Sequence, residues 1–275
     1  MEERCAPDHD QHADCGGLDV PWARSPPARM AREAILRVVF GALLAYYTRC
    51  RTTGTQRLTG TSAPVLFVAN HASHIDTPLI LRALPRAWRR RTAVTAAADY
   101  FYADRHIAWL VSLVFNTVPV RREGGGLEHV EALLADRWSV LVYPQGTRSR
   151  GPDAQRLRTG AAVLAARHGL AIVPIRVGGT HAAMPPGQSW PRRRLWQRRH
   201  PVEVTFGAAI HPRSSEERHE VMERLHAFFD GQDALPARPE TLAQARPGSA
   251  SARSEPSPSV VREAAPVSDR PGPMA

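Results

Sequence analysis

Short apolar runs alternate with helically spaced apolar residues through the middle of the chain. The pattern predicts strands over 64–69, 92–97, 117–121, 139–143, 171–175 and 202–206, and helices over 78–84, 105–115, 126–136 and 159–168. Strands that alternate with helices are typical of a parallel sheet. The predicted fold class is therefore α/β: a single domain with a mostly parallel sheet flanked by helices.

A last helix is predicted at the end of this region. Residues 214–217 form a capping-box pattern, and Gly231 provides a stop. Between them, apolar side chains recur at helical spacing, at Val221, Met222, Leu225, Phe228 and Phe229. We interpret this helix as packing against the sheet.

An apolar stretch near the N-terminus has a different character. It covers 34–47 (AILRVVFGALLAYY), is interrupted by Arg37, and is shorter than the roughly twenty residues that cross a bilayer. Arginines flank it and tyrosines close it, as in helices that lie in the membrane interface. An ordinary buried helix is the alternative. A second run, 107–120, could join the interfacial surface or form a core helix leading into a strand.

Composition divides the chain into four segments. Residues 1–28 are polar and acidic, and residues 232–275 are rich in Pro, Ala, Ser and Arg without apolar periodicity, so we expect both tails to be disordered. Between them we predict a membrane-interface helical segment over 29–60 and the main domain over 61–231. Cysteine is sparse and odd in number and no secretory signal peptide is evident, which indicates a reducing, cytosol-facing location.

The net charge is +10, and such a basic chain attracts phosphate-rich partners, either an anionic membrane or nucleic acid. All 36 basic residues are Arg, which also fits codon bias. Arginines flank Trp88, Trp190 and Trp196, a composition shared by membrane contacts and single-strand nucleic-acid grooves. We favour the membrane, although a solvated surface explains each cluster equally well.

The first chemical motif, Asn70-His71-Ala72-Ser73-His74-Ile75-Asp76, directly follows an apolar strand. His71 and Asp76 would point apart on one continuous helix, so a bend must separate them. Thr77 as N-cap and Pro78 as first helical residue would start a helix after Asp76 and leave 70–76 as a turn. There Asp76 can accept a hydrogen bond from one imidazole nitrogen, and the other nitrogen can take a proton.

The second motif, Tyr143-Pro144-Gln145-Gly146-Thr147-Arg148-Ser149, also follows a strand. Gly146 and Thr147 allow a tight turn whose backbone N–H groups can face an anion, and Arg148 offers a planar fork for phosphate. Without a Walker lysine or a glycine ladder, nucleotide binding is poorly supported. The alternative is a generic surface turn.

Four blocks in order, at residues 70–76, 116–122, 144–149 and 173–175, resemble those of the glycerolipid acyltransferases, the 1-acylglycerol-3-phosphate acyltransferase family. The resemblance implies that a hydroxyl of a lysophospholipid, above all 1-acylglycerol 3-phosphate, takes an acyl group from acyl-CoA or acyl carrier protein. It implies His71 as the base and Asp76 as its orienting carboxylate. It assigns the acceptor phosphate to Arg122, Gly146, Thr147 and Arg148, and weaker substrate contacts to Asn70, Gln145, Arg158 and Gly160. It further implies a glycerol-3-phosphate acyltransferase-like fold at the cytoplasmic face of the cell membrane, peripheral or monotopic.

The chain departs from this family in ways that affect activity. Gln145 replaces the usual glutamate; if hydrogen bonding is its task, activity survives, and if charge is needed, the protein is weak or inactive. Pro119 removes a backbone donor, which predicts that its strand lies at a sheet edge. A catalytically inactive membrane-binding protein of the same fold is therefore the first alternative, and an Arg-rich nucleic-acid-binding protein is the second.

Thioester attack needs no metal and no cofactor beyond the acyl donor itself. The developing oxyanion requires donors, and backbone N–H groups near a helix start are natural ones. We predict no metal site in the core. In the N-terminal tail, Cys5, His9, His12 and Cys15 have a spacing compatible with zinc, although a solvated tail is the more ordinary interpretation. No Gly-x-Ser-x-Gly elbow supports a hydrolase.

Overall fold

A seven-stranded sheet forms the centre of the structure. Its strands are β1 (Thr48–Thr53), β2 (Val65–Ala69), β3 (Thr92–Ala97), β4 (Thr117–Val120), β5 (Ser139–Val142), β6 (Ala171–Gly178) and β7 (His200–Phe206), in the spatial order β1-β7-β6-β2-β5-β3-β4. Five neighbouring strands, β6 through β4 in that order, are mutually parallel. β7 is antiparallel to β6, and β1 is parallel to β7. The predicted mostly parallel sheet is confirmed.

Helices lie between the strands along the chain. They are α1 (Pro26–Tyr47), α2 (Asp76–Ala83), α3 (Arg86–Arg89), α4 (Arg105–Phe115), α5 (Leu127–Ala135), α6 (Gly160–His168), α7 (Thr180–Ala183) and α8 (Arg218–Phe229). The computed structural model describes residues 21–98, 104–120, 127–145, 157–185, 187–188, 190–193, 196–212 and 218–231. Those residues belong to one compact unit, Met1–Ala237. Residues 21–28 of the predicted disordered N-terminal tail are ordered: Pro21–Arg24 form a 3-10 helix, and α1 begins at Pro26. Residues 1–20, the predicted C-terminal tail from 232 and the predicted capping box at 214–217 lie outside the described residues.

Alternate residues of β2 enter two different hydrophobic cores. Val65, Phe67 and Ala69 pack in a cluster with apolar residues of α1 and α2. Leu66 and Val68 pack in a second cluster with residues of α5, α6 and α8. Because the side chains of a strand point alternately to its two faces, the sheet is covered on both sides. All five residues of β2 are buried.

The segment predicted as helical over 29–60 is helical in its first part and extended afterwards. α1 begins at Pro26, with the Ser25 side chain accepting from the N–H of Ala28, and ends at Tyr47. The chain then enters β1, whose every residue pairs with β7. β1 carries four exposed residues in succession, so it lacks the apolar run that marks the other strands. No helix within the described residues is both long and apolar enough to cross a bilayer.

The sheet has one edge where most strands end and two strands begin. β2, β5 and β6 end there, and because β7 is antiparallel to β6, His200 at the start of β7 lies on the same side. His200 pairs with Thr48, so the end of α1 reaches this edge as well. At the margin of the sheet, Pro119 lies in β4, the last strand in the order, as its missing N–H predicts.

Candidate active site

The turn after β2 is folded around one carboxylate. Oδ2 of Asp76 accepts hydrogen bonds from the backbone N–H groups of Ala72 and Ser73, each at 2.7 Å. The Asp76 N–H in turn donates to the Ser73 carbonyl at 3.1 Å. α2 begins at Asp76 with Ile75 as its N-cap, two residues before the predicted start at 78. The predicted cap at Thr77 is wrong, because Asp76 already organises the turn with its own side chain.

His71 and Asp76 make the contact predicted from their spacing. Nδ1 of His71 lies 3.0 Å from Oδ2 of Asp76. The Asp76 side chain is fully buried, whereas 19% of the His71 side chain is exposed. Oδ1 of Asp76 is buried and no donor among the described residues reaches it. The imidazole therefore has a negative partner behind it and an open side toward solvent.

The ring of Tyr143 lies against the imidazole of His71. The two ring centroids are 4.3 Å apart and the planes differ by 28°. The Tyr143 hydroxyl is 2.8 Å from Oγ1 of Thr77, in the first turn of α2. Burial, and secondarily the negative charge of Asp76, raises the pKa of Tyr143 far above its ordinary value, so the phenol stays neutral. His71 is thus fixed by a carboxylate at one nitrogen and by an aromatic ring on one face.

Gln145 is connected to the same histidine through the backbone. Its Oε1 accepts from the His71 N–H at 2.8 Å. Together with the two bonds to Asp76, this occupies the backbone N–H groups of residues 71 to 73. These three N–H groups are therefore already engaged, and the oxyanion donors expected near a helix start stay a prediction.

Two side chains of the turn anchor it to neighbouring segments. The amide of Asn70 pairs with Val177 of β6 at both ends: Val177 N–H donates to Oδ1 at 2.7 Å, and Nδ2 donates to the Val177 carbonyl at 2.8 Å. Ser73 is buried, and its hydroxyl donates to the Met184 carbonyl at 2.8 Å. The structure gives Asn70 this clamp. Its substrate contact stays a prediction.

The remaining predicted contacts fall into two groups. The Arg158 N–H donates to the Pro144 carbonyl at 2.8 Å, so Arg158 lies beside the 143–145 segment, and Gly160 two residues later begins α6. Arg122, Gly146, Thr147 and Arg148, assigned to the acceptor phosphate, lie outside the described residues.

The described residues contain no group of three or more His, Cys, Asp or Glu side chains that could hold a metal ion. Cys5, His9, His12 and Cys15 lie outside the part of the chain that the structure describes. The zinc hypothesis for the tail stays a prediction.

His71 and the buried carboxylate of Asp76 lie where the strands of the α/β sheet end, which is where such folds commonly place their sites, so this pair is the candidate active site. Residues 49–178 match the family model named Acyltransferase. The matched range begins in β1 and ends with β6, and it contains His71, Asp76, Tyr143 and Gln145.

The curated relatives are named for a specific acyltransferase reaction. The chain is 28% identical over 164 residues to a 1-acyl-sn-glycerol-3-phosphate acyltransferase of Chlamydomonas reinhardtii, covering 58% of this chain and 48% of that protein. It is 29% identical over 141 residues to a chloroplastic one of Arabidopsis thaliana, covering 49% of this chain and 37% of that protein. The match thus spans less than half the length of these relatives.

A solved structure shares the fold. It is the 1-acyl-sn-glycerophosphate acyltransferase PlsC of Thermotoga maritima, with a TM-score of 0.55 and 20% identity over 78% of this chain and 82% of that one. At this identity the likeness concerns the fold, a sheet of mostly parallel strands flanked by helices.

Sequence reasoning missed Tyr143 as a neighbour of the base. The signal was present, because Tyr143 directly precedes the 144–149 block and therefore stands at the end of β5, next to β2. Ser73 was interpreted as a turn residue, which it is, but its bond to Met184 needs a partner 111 positions away. Such a contact leaves no periodic pattern in the sequence.

Proposed function

We propose that this protein transfers an acyl group from a thioester to the free hydroxyl of 1-acylglycerol 3-phosphate, giving phosphatidic acid and a thiol. The observation that carries the proposal is the His71 to Asp76 contact of 3.0 Å, with the carboxylate fully buried and the imidazole partly exposed. The family match and the names of the curated relatives support the reaction class.

In the proposed reaction His71 is the general base. As the acceptor oxygen bonds to the thioester carbonyl carbon, its proton passes to Nε2 of His71. When the tetrahedral intermediate collapses, the C–S bond breaks and the imidazolium returns the proton to the departing thiolate. Asp76 keeps the Nδ1 proton in place and stabilises the transient imidazolium without taking its proton.

The hydrogen bond made by Gln145 favours an active enzyme over a catalytically inactive protein of the same fold. Its amide oxygen accepts from the His71 N–H, a task that a neutral acceptor performs as well as a carboxylate. The substitution of Gln for Glu therefore preserves the hydrogen bond that holds the backbone of the base.

We further propose that the protein acts as a peripheral protein at the cytoplasmic face of the cell membrane. α1 packs on α4, with Phe40 edge-on to Phe115 at 5.5 Å, and Trp22, which precedes α1, stacks on Trp109 of α4 at 5.3 Å. The pair leaves large apolar side chains exposed, namely Met30, Val38, Val39, Ile107, Trp109 and Leu110. A cluster of this kind is typical of a membrane contact.

The test is lipid product analysis by mass spectrometry. Wild type and His71→Ala are incubated with 1-acylglycerol 3-phosphate, glycerol 3-phosphate and other lysophospholipids, each with an acyl-CoA or an acyl carrier protein thioester. We expect phosphatidic acid from the wild type and at least a 10³-fold lower rate from His71→Ala, since the base is lost. Equal turnover by a folded His71→Ala would refute the mechanism, and no product from any pair would refute the function.

A further inference from the structure

A recess of about 550 Å³ opens between the end of α1 and the segment that leads into β7. Its volume is in the range of pockets that hold small molecules. Its polar described lining comprises Tyr47, Gln188, Arg192, Arg193, Gln197 and His200. The described lining includes two arginines and no carboxylate, which suits an anion with several oxygens.

The recess lies on the same edge of the sheet as His71. Its His200 begins β7 and pairs with Thr48, at the edge where β2 ends. Its Pro185 follows Met184, whose carbonyl accepts from the Ser73 hydroxyl in the turn of the base. The recess and the base are therefore joined through one buried hydrogen bond.

Contacts within the lining hold its shape. Nε of Arg193 donates to the Gln197 carbonyl at 2.9 Å, and its guanidinium lies 4.8 Å from the ring centre of Tyr46 and donates to the Tyr46 carbonyl. Trp190 Nε1 donates to the Tyr47 hydroxyl at 3.0 Å. Side chains ordered before a ligand arrives lose less entropy on binding.

One acceptor in the lining has no hydrogen-bond donor among the residues that the structure describes. Oε1 of Gln188 is shielded from water, and no donor among the described residues reaches it. A buried carbonyl oxygen without a hydrogen bond is uncommon, and a ligand that brings a donor such as an amide N–H would satisfy it. The recess thus suits a ligand that carries both phosphate oxygens and amide N–H groups.

The order of the strands in the sheet places the recess on one side of His71. The strand β2 stands between β6 and β5, so His71 has β6, β7 and β1 on one side and β5, β3 and β4 on the other. The recess is on the β7 side. The strands β4 and β5, which precede the residues assigned to the acceptor phosphate in the sequence, stand on the opposite side.

We propose that this recess binds the phosphate and amide groups of the phosphopantetheine carrier of the acyl donor, an inference that rests on the proposed acyl transfer. The pantetheine arm carries two amides and ends in the thioester, so its phosphate can lie in the recess while the acyl carbonyl reaches His71. An anionic phospholipid headgroup such as that of phosphatidylglycerol also offers phosphate, so binding to vesicles of this lipid is measured separately from donor binding.

The test compares two recess variants with a matched control in the full-length protein. Arg192→Gln removes one exposed guanidinium of the lining, and Gln188→Glu adds a negative charge there. Arg198→Gln removes the same charge from an exposed residue of the same segment outside the described lining. The measurements are KM for the donor, KM for the acceptor, the dissociation constant for coenzyme A by calorimetry, and binding to phosphatidylglycerol vesicles.

We expect each recess variant to raise the donor KM and the coenzyme A dissociation constant by about tenfold, with the acceptor KM unchanged and Arg198→Gln like the wild type. A donor KM equal to that of the wild type in all variants would overturn the proposal. If the recess variants lost vesicle binding while their donor KM stayed unchanged, the recess would be a site for lipid headgroups instead. His71→Ala should still bind coenzyme A. The wild type could form no lipid product while the recess variants still bind coenzyme A more weakly than the wild type. That result would refute the proposed acyl transfer and support the recess as a binding site for coenzyme A.

Discussion

The side-chain oxygen of Gln145 accepts a hydrogen bond from the backbone N–H of His71 at 2.8 Å. The bond joins the segment after β5 to the turn after β2, and β2 and β5 are neighbours in the sheet. The base is therefore positioned by its own main chain as well as by Asp76. A carboxylate at position 145 would make the same bond, so this contact depends on an acceptor oxygen and not on charge.

Position 145 should tolerate glutamate and reject an apolar residue. We expect Gln145→Glu to keep kcat within about threefold, because the acceptor remains. Gln145→Leu leaves the part-buried His71 N–H without a partner, and we expect kcat to fall by about tenfold or more. Steady-state acyl transfer at saturating substrates measures both. A leucine variant with wild-type kcat would show that the bond does not position the base.

Asp76→Asn should separate orientation from charge. The amide oxygen is an uncharged, weaker acceptor for the three groups that Oδ2 bonds now, and the change removes the negative partner of the imidazole. We expect kcat to fall by about 10³- to 10⁴-fold, as for base-orienting carboxylates in general. Because Asp76 also organises the turn, thermal unfolding serves as the control. A folded variant with kcat within tenfold of the wild type would contradict the role of Asp76.

The sequence predicted those parts of the molecule that leave a periodic signal. β3 over 92–97 and α4 over 105–115 have the predicted bounds, because each combines a regular apolar pattern with clear end signals. The pairing of His71 with Asp76 also followed from their spacing. β1 was missed, because its exposed, polar residues are ordered by pairing with β7, which lies about 150 positions further along the chain. The stacking of Tyr143 on His71 was missed for the same reason, because the two residues are far apart in the sequence.

Tyr143 should act through its ring and not through its hydroxyl. Tyr143→Phe keeps the ring against His71 and loses the bond to Thr77, and we expect kcat within about threefold of the wild type. Tyr143→Ala removes the stacking interaction with His71. Because such ring pairs contribute about 0.5–1.5 kcal/mol, we expect kcat to fall by about 2- to 10-fold. The KM values should stay unchanged in both variants. A phenylalanine variant as impaired as the alanine variant would assign the effect to the hydroxyl.

A buried ion pair should make stability depend on acid pH. Glu33 of α1 accepts two hydrogen bonds from Arg89 of α3, at 2.6 and 3.0 Å. These bonds hold the pKa of Glu33 below its ordinary 4.5 in the folded protein. The folded state then binds fewer protons than the unfolded state, so the contribution is complete above pH 4.5 and is lost as the pH falls through the lowered pKa.

Glu33→Gln should therefore lower the free energy of unfolding by about 3 kcal/mol at pH 7, since Arg89 keeps a buried charge without its partner. The difference from the wild type should shrink as the pH falls below 4.5. The control is Glu223→Gln, because Glu223 pairs with His219 on the exposed side of α8. Urea unfolding followed by circular dichroism measures both. A difference that is constant with pH would contradict the linkage.

The exposed apolar residues of α1 and α4 should set the affinity for membranes. Val38 is 69% exposed and Leu110 is 53% exposed, on two helices that pack together. Replacing both with glutamate removes apolar area that would enter the interface and adds charge that anionic lipid repels. We expect vesicle affinity to fall by about 10- to 100-fold in a flotation assay with phosphatidylglycerol vesicles, while activity on a water-soluble short-chain acceptor is retained.

The matched control for this prediction carries new negative charge on another part of the surface. Gln56→Glu changes an exposed residue just beyond the end of β1, at the sheet edge opposite the base, and should leave vesicle binding within twofold. Equal binding by the Val38→Glu/Leu110→Glu variant and the wild type would exclude α1 and α4 as the membrane contact. A salt-dependent affinity for oligonucleotides well above that for vesicles of matched charge would instead favour the nucleic-acid hypothesis, because released counterions would then drive binding.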